Sequence, residues 1–422
     1  MLYQTDFAHR IKTEKFQDYW FDIGLMGPPS EQGSLLLRVT RNCPWNRCFF
    51  CTSYKDKKFE YKNVKEIKRD VDIVKALEDE IIAACCEFGY GNELSDDWLR
   101  GVIVNGVIQG NPEIYRRFLD SETLHSRLAS LYHVAYWLGF GSKTVFLGDA
   151  NSLIMRTPEL IEVLRYLKER FPTIERITSY ARAKTCAKKS VEELKELHEA
   201  GLSRLHVGLE SGHNEVLKYM QKGVTAEEHI RGGKNIVESG ISLSEYVMPG
   251  LGGRKWSKEH VLETAKAINE INPDFIRIRS LAVLKDSPLY EKCKAGEFEQ
   301  LTEDELVEEI GVFIECLNCD SYVVSDQMTN LLWDIEGQLP QDKARILGLI
   351  EQYKTKSPIE RLRFQLNQYS GPYCDYLSRR GKLDWQLHQL IKEARESTKK
   401  KSSDSEAKVE QAILAIKERG IP

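Results

Sequence analysis

The chain has 422 residues, enough for one large domain with appendages or for two to three domains. Its 41% hydrophobic and 29% charged residues are ordinary for a globular protein, and its net charge of −4 excludes a generally basic surface for nucleic acid or membranes. No apolar run is long enough to span a bilayer, and the polar N-terminus lacks the apolar segment of a signal peptide. We therefore expect a cytoplasmic protein whose cysteines are thiols or ligands, not disulfides.

Short β-branched or apolar runs alternate with longer amphipathic runs from residue 33 onward. The connections are too long for hairpins, so the pattern predicts an α/β fold with a parallel sheet covered by helices. Six repeats suit a partial (β/α)6 TIM-like barrel or a doubly wound open sheet, and the lack of a dinucleotide-type glycine fingerprint after the first strand favours the barrel. The predicted strands are 34–40, 144–148, 174–180, 204–210, 241–248 and 274–281.

Several helix boundaries carry recognisable signals. Thr157 is predicted to cap a helix that has Pro158 in its first turn. Three Ser/Thr-x-x-Glu motifs are typical of capping boxes, and two glycines are placed to end helices. The capping boxes begin at Ser190, Thr225 and Thr302, and the helix-ending glycines are Gly201 and Gly240.

The remaining segments give a domain organisation around the barrel. Residues 1–32 form an N-terminal segment, and 33–320 form the barrel, with a long helix after strand one and a helical insertion at 94–140. Residues 321–396 form a mainly helical C-terminal extension that opens with a possible strand in "DSYVVSD". Residues 397–422 form a solvated linker, "STKKKSSDSE", and a last amphipathic helix at 407–419.

The segment "RNCPWNRCFFC" (41–51) follows strand one and carries three cysteines within nine residues. A structural zinc site has four protein ligands, whereas three thiolates on a four-iron cluster leave one iron open to a substrate or cofactor. The spacing C-x4-C-x2-C also occurs in plant-type ferredoxins, with a distant fourth cysteine. Cys85 or Cys86 could in principle be that fourth ligand, but both lie in a predicted long helix, and the chain around them is a large α/β domain, not a small electron carrier. The candidate metal ligands are Cys43, Cys48 and Cys51.

The other cysteines have simpler interpretations. Cys85 and Cys86 lie on an apolar helical face and are predicted to be small buried hydrophobes, as are the isolated Cys186, Cys293 and Cys374. Cys316 and Cys319 form one C-x2-C pair without a second pair, so we expect a core or surface role and leave a metal role open.

The cysteine triad after the first strand, with Phe50 directly before the third cysteine, resembles the radical S-adenosylmethionine (SAM) superfamily. The resemblance spans residues 30 to 320. It implies a [4Fe–4S] cluster on the three thiolates, SAM on the fourth iron, and reductive cleavage of SAM to a 5′-deoxyadenosyl radical that abstracts hydrogen from substrate. The commonest spacing in that family has three residues between the first two cysteines, and this chain has four, Pro44 to Arg47.

The same resemblance implies contacts to SAM from the ends of successive strands. Each residue also has a plainer interpretation: the glycines as turns, Asp149 as a helix cap, and Glu210 with Lys222 as a structural ion pair. The glycines of "MPGLGG" add a backbone that can approach adenine closely. The implied cofactor contacts are Phe50, Gly148, Asp149, Asn151, Ser179, Arg182, Glu210, Lys222, Gly250, Gly252, Gly253 and Arg279.

Within the superfamily, the motifs resemble the core shared by coproporphyrinogen oxidases, Elongator-type proteins and methylthiotransferases, and a poorly characterised group of Fe–S oxidoreductases. This implies an oxygen-sensitive enzyme that acts on a small to medium-sized substrate and takes electrons from a flavodoxin or ferredoxin. Two alternatives remain open: a haem-binding chaperone that retains the fold, and an RNA-modifying enzyme. The acidic balance argues against the second, so we expect neither a nucleic-acid nor a membrane partner.

Overall fold

A computed structural model describes residues 20–24, 27–87, 122–379, 381 and 384–419. The described residues fall into two compact units. The first comprises residues within 1–44, 58–180 and 195–204, and the second comprises residues within 45–57, 181–194 and 205–422. Most of the predicted N-terminal segment and the first part of the predicted 94–140 insertion lie outside the described residues. The division into four segments that the sequence suggests stays a prediction.

The strands confirm the predicted α/β architecture. Eight of them form one sheet in the order β1, β4, β5, β6, β7, β8, β9, β10, and β2 pairs separately with β3. The pairs β1–β4, β4–β5, β7–β8 and β8–β9 are parallel, and β9–β10 is antiparallel. The strands are β1 Leu35–Arg38, β2 Thr40–Arg41, β3 Glu60–Tyr61, β4 Thr144–Gly148, β5 Arg176–Ala181, β6 Leu202–Glu210, β7 Ser242–Val247, β8 Phe275–Ile278, β9 Tyr322–Val324 and β10 Glu336–Gln338.

This mostly parallel sheet matches a partial TIM-like barrel, and each of the six predicted strands is present. The sheet continues past residue 320, because β9 pairs with β8 in the register Phe275 to Tyr322. Strand β4 shows why the sequence forms such strands. Its residues Val145, Phe146 and Leu147 are all fully buried, as expected where both faces of a sheet are covered.

Helices fill the connections between the strands. In the first unit α1 contacts α2 and α3, and in the second α8 contacts α7 and α10. No helix in the described ranges is long and apolar enough to cross a membrane. The helices are α1 Val64–Glu87, α2 Glu122–Gly139, α3 Thr157–Arg170, α4 Ala183–Cys186, α5 Val191–Glu199, α6 Asn214–Tyr219, α7 Ala226–Ser239, α8 Gly253–Ile271, α9 Pro288–Lys294, α10 Glu303–Cys316, α11 Lys343–Lys354, α12 Pro358–Ser370, α13 Pro372–Arg379, α14 Trp385–Lys400 and α15 Ser405–Lys417.

The predicted capping boxes are confirmed. Thr225 and Thr302 each accept a hydrogen bond from the backbone of the glutamate three residues later, and that glutamate bonds back to the cap. Ser190 makes the same reciprocal pair with Glu193. Gly240 ends α7 with a φ of 85°, a conformation that glycine adopts without strain. The prediction for Thr157 was wrong by one position, because Arg156 is the N-cap and Thr157 is already helical.

The predicted linker at 397–406 was also wrong. Helix α14 runs through Lys400, the chain reverses at Lys401 with a φ of 53°, and α15 begins at Ser405. Ser397 and Thr398 are buried, and their hydroxyls donate to carbonyls one turn earlier in the helix. Local hydrogen bonds of this kind allow small polar residues to lie inside a helical interface, where a polar sequence alone suggests solvent.

Candidate functional site

In the first unit, the turn after β4 is held by a buried carboxylate. Asp149 is 1% exposed, and its Oδ1 accepts a hydrogen bond from Arg38 Nε at 3.0 Å. Its Oδ2 accepts from the backbone N–H of Asn42 at 2.7 Å, directly before Cys43. Arg38 also donates to Asp22 at 2.8 Å. Asp149, a predicted SAM contact, therefore uses both oxygens to hold the end of β1 and the start of the cysteine loop in place.

Two further predicted residues lie buried in the same unit. The Ser179 hydroxyl lies 2.9 Å from the carbonyl of Leu147 and 3.0 Å from that of Tyr180, so it links β5 to β4. Asn151 is fully buried and precedes a short 3-10 helix, Ser152–Ile154. Together with Gly148, the last residue of β4, they form the strand-end edge of the first unit.

In the second unit, the rest of the cysteine loop is anchored by Trp45, which no pattern in the sequence marks as a functional residue. Its indole N–H donates to the carbonyl of Gln221 at 2.6 Å. The guanidinium carbons of Arg47 and Arg182 lie 5.1 and 5.2 Å from the indole ring centre. Gly223 has a φ of 70°, and a Cβ there would stand 2.3 Å from the ring. The loop and the segment after α6 are therefore packed without a gap.

Backbone hydrogen bonds extend this attachment towards the last cysteine. The N–H of Phe49 donates to the carbonyl of Met220 at 3.0 Å, and the N–H of Leu289 donates to the carbonyl of Phe49 at 3.1 Å. Phe50 packs on a buried apolar cluster that includes Met220 and Met248. Because these contacts come from segments far apart in sequence, the loop between residues 45 and 51 has one defined position within its unit.

The predicted pair Glu210 and Lys222 lies beside this loop. Lys222 Nζ donates to Glu210 Oε1 at 3.0 Å, and the ammonium lies 5.6 Å from the ring centre of Phe50. Burial by itself lowers the pKa of Lys222, but the negative charges of the Glu210 carboxylate and of a Cys48 thiolate raise it, so the pKa lies above its usual value. Arg182 donates to the carbonyl of Lys222 at 2.9 Å. The pair is thus a formed ion pair, as the plainer interpretation holds, and it is also next to a cysteine.

The predicted glycine-rich turn follows β7. Gly250 has a φ of 85°, and its N–H donates to Glu309 at 2.6 Å, while Gly252 and Gly253 lead into α8. Arg279, directly beyond β8, donates to Gln327 at 3.2 Å and stacks 5.0 Å from the ring centre of Tyr246. The structure therefore brings Cys48, Phe50, Arg182, Glu210 and Lys222 together in the second unit.

The three candidate ligands are half-buried and none is in a disulfide. Across the residues that the structure describes, no three His, Cys, Asp or Glu side chains already form a group that can hold a metal ion. Of the remaining cysteines, Cys186 is fully buried and Cys374 is buried, as predicted, and Cys293 is half-buried. Cys86 is exposed, so its predicted burial was wrong: it lies on the solvent side of the last turn of α1. Cys316 is exposed and Cys319 is buried.

Residues 127–268 match the family model of the radical SAM superfamily. Together with the parallel sheet, this match supports a radical SAM superfamily enzyme, and members of this superfamily bind a [4Fe–4S] cluster and SAM. The matched segment contains β4 to β7 and the Glu210–Lys222 pair but not the cysteine loop.

Similar curated proteins match a limited part of the chain. The chain is similar to the tRNA uridine(34) acetyltransferases of Methanocaldococcus infernus (29% identical over 127 residues) and Methanocaldococcus jannaschii (28% over 127 residues). These matches cover 30% of this chain and 23% of each relative, so the chain spans about a quarter of their length. An uncharacterised protein of Bacillus subtilis, YtqA, is 25% identical over 118 residues, which is 28% of this chain and 36% of that protein.

Solved structures give weaker likenesses. The archaeal Elp3 of Methanocaldococcus infernus has a TM-score of 0.39 at 19% identity, over 58% of this chain and 62% of that chain. Coproporphyrinogen III oxidase of Escherichia coli has a TM-score of 0.34 at 17% identity, over 41% of this chain and 39% of that chain. At these scores the likenesses carry no weight for function.

Proposed function

We propose that the chain holds a [4Fe–4S] cluster on Cys43, Cys48 and Cys51, binds SAM beside it, and uses radical SAM chemistry on a substrate not yet identified. The observation that supports the proposal best is the ion pair of Glu210 and Lys222 next to Cys48, because the pair and the thiol come from separate segments of the chain. When bound, the cluster and SAM would supply one-electron cleavage of SAM and, from it, a carbon-centred radical that removes a hydrogen atom from substrate.

The donor set fits such a cluster by its chemistry. Three thiols within nine residues give soft ligands and leave one iron without a protein ligand. Two cations, Lys222 and Arg182, lie against the part of the loop that carries Cys48 and Trp45. Positive charge at this place stabilises thiolates over thiols, which is the form that binds iron.

The residues of this chain then have separate tasks. Trp45 and Phe49 fix the loop to the segment after α6. Glu210, whose side chain is 12% exposed, can accept hydrogen bonds from the hydroxyls of a ribose, and Lys222 can pair with the carboxylate of an amino acid. Phe50 packs on the apolar cluster beneath, so water is kept away from one side of the loop.

The test is to reconstitute the protein without oxygen, reduce it, and record EPR spectra with and without SAM. We expect a four-iron signal that changes when SAM is added, and loss of this signal and of bound iron in Cys48→Ala. Cys374→Ala, which removes a buried thiol on α13, is the control and should keep its iron. A signal indifferent to SAM, or full iron content in Cys48→Ala, would refute the proposal.

An RNA substrate is the second candidate, contrary to the expectation from net charge. Two of the relatives are named for modification of a tRNA uridine. In the first unit, the antiparallel pair of β2 and β3 presents Tyr61, which is 61% exposed and lies edge-on to Phe59 with 4.9 Å between ring centres. Exposed lysines, Lys58 and Lys65, flank this aromatic pair in sequence. Exposed aromatic rings near lysines are a common platform for unstacked bases.

Fluorescence anisotropy with bulk tRNA and with a duplex DNA of similar length tests this candidate. We expect tRNA to bind more tightly, with a marked loss of affinity when salt is raised, and a further loss of at least fivefold in Tyr61→Ala. Tyr132→Ala, which removes an exposed tyrosine from α2, is the matched control. Equal binding of both nucleic acids, or of both variants, would rule out this surface as an RNA site.

A further inference from the structure

One face of α8 contacts the turns that follow two neighbouring strands. His260, which is 3% exposed, has Nδ1 2.8 Å from the hydroxyl of Ser211, after β6, and Nε2 3.1 Å from the carbonyl of Met248, after β7. One turn along α8, Thr264 accepts a hydrogen bond from the N–H of Gly212 at 2.9 Å. A single helix therefore bonds to both turns, and these turns carry Glu210 and Gly250.

The hydrogen bonds of His260 fix its tautomer. Burial lowers the pKa of His260 to about 4, so the ring is neutral near pH 7. A backbone carbonyl only accepts, so Nε2 carries the proton and donates to Met248. Nδ1 must then accept from the hydroxyl of Ser211, which in turn accepts from the N–H of His213 at 3.0 Å. Each partner has one compatible role, so the bridge is a specific connection.

The turn after β6 has no room to move towards α8. A Cβ on Gly212 would stand 2.2 Å from the carbonyl oxygen of Glu263, so only glycine allows this approach. The Thr264 hydroxyl donates to the carbonyl of His260, so the residues that grip the two turns are also bonded to each other.

A second buried residue grips the turn after β7 from α10. Glu309 is 5% exposed, its Oε1 accepts from the N–H of Gly250 at 2.6 Å, and the Ser257 hydroxyl donates to Oε2. His260 Nε2 lies 3.7 Å from the same carboxylate. Other charged pairs that involve these two helices include Arg254 with Glu305, at 2.9 Å, and His213 with Glu263, at 2.8 Å. Glu309 thus holds Gly250 in the positive-φ conformation that opens the glycine-rich turn.

We propose that His260 and Glu309 are positioning residues that lock the turns after β6 and β7 to each other, and so set the spacing of the predicted SAM contacts Glu210 and Gly250. The proposal deepens the proposed function, on which it rests for the identity of the ligand. Neither residue is predicted to touch SAM or substrate. Their effect is transmitted through Ser211, Met248 and the N–H of Gly250.

The first measurement is hydrogen–deuterium exchange of the full-length protein in peptides covering residues 209–213 and 247–253. His260→Phe removes both ring hydrogen bonds, and we expect exchange to rise at least fivefold in both peptides. Glu309→Ala should loosen the second peptide, whereas Glu309→Gln keeps an acceptor for Gly250 and should stay close to wild type. His388→Phe, at an exposed position on α14, is the control. Faster exchange in only one of the two peptides of His260→Phe would overturn the proposal that His260 couples the two turns.

The second measurement is SAM binding by the reconstituted protein. We expect the Kd to rise about tenfold in His260→Phe and in Glu309→Ala and to return close to wild type in Glu309→Gln. A residue that only supports the fold would change exchange and leave the Kd unchanged, and this result would overturn the positioning role. If the wild-type protein binds no SAM, the proposed function fails, and the exchange data alone then decide whether the two turns are locked together.

Discussion

The turns after β4 and after β6 each place an acidic residue at the end of a buried strand, yet the two carboxylates are used differently. Asp149 has a fully buried side chain, and its two oxygens accept hydrogen bonds from Arg38 and from the backbone N–H of Asn42. Glu210, with its side chain 12% exposed, bonds Lys222 through Oε1 beside the cysteine loop. The comparison teaches that an acidic residue after a strand does not by itself mark a ligand contact. The burial and the hydrogen-bond partners of the carboxylate distinguish a residue that stabilises a turn from one that can bind a ligand.

Glu309 extends the comparison to a buried carboxylate bonded only to uncharged groups, and it gives the largest expected effect. Burial raises the pKa of Glu309 to about 7, although the hydrogen bonds from Ser257 and Gly250 oppose the rise. Its pKa in the unfolded chain is about 4.3, so the folded protein holds an extra proton between these values. This contribution to stability is complete below about pH 4 and is lost as the pH rises to about 7.

Urea unfolding at several pH values measures this effect. The free energy of unfolding of wild type, relative to Glu309→Gln, should fall by about 3 kcal/mol between pH 4 and pH 8. Glu305→Gln, one turn earlier on α10, is the control and should not remove the pH dependence. A constant difference between wild type and Glu309→Gln across this range would show that Glu309 does not titrate there.

The isosteric pair Asp149→Asn and Glu210→Gln tests the comparison directly. Asp149→Asn leaves the Arg38 guanidinium without a buried partner, and we expect a loss of about 2 kcal/mol in the free energy of unfolding. Glu210→Gln keeps an amide oxygen that can accept from Lys222, so we expect a smaller loss of about 1 kcal/mol, while the Kd for SAM rises about tenfold. If the two variants lose equal stability and bind SAM equally, Asp149 and Glu210 do not differ in role, and the comparison is wrong.

The smallest effect concerns Gly223, which follows Lys222 and packs closely against the Trp45 ring. Gly223 and Gly296 have the same φ of 70°, but a Cβ meets the Trp45 ring only at Gly223 and meets nothing within 4 Å at Gly296. Both Gly→Ala variants should lose about 1 kcal/mol from the backbone conformation alone. Gly223→Ala should lose about 1 kcal/mol more from the displaced indole, and its tryptophan fluorescence should change. Equal losses of stability in the two variants, measured by thermal unfolding, would mean that the Trp45 indole can move aside without loss of stability.

Much of the fold could be predicted from the sequence, because local patterns carry it. The runs 144–148 and 241–248 are apolar over a length typical of buried strands, and the capping boxes at Thr225 and Thr302 specify helix starts through bonds three residues apart. The linker at 397–406 was mistaken for the opposite reason. Its lysines and serines are polar, and only contact with the rest of the helical region decides that Ser397 and Thr398 are buried.

The sequence by itself indicated the class of protein, because the cysteine triad after the first strand, with Phe50 before Cys51, resembles the radical SAM superfamily and is a local feature that needs no tertiary contact to be recognised. The tertiary structure decided how the site is supported. Trp45 meets a segment 176 residues away, and Glu309 meets Gly250 across 59 residues. Such pairings depend on which helix packs against which turn, and a buried polar group gives no periodic signal before its partner is known.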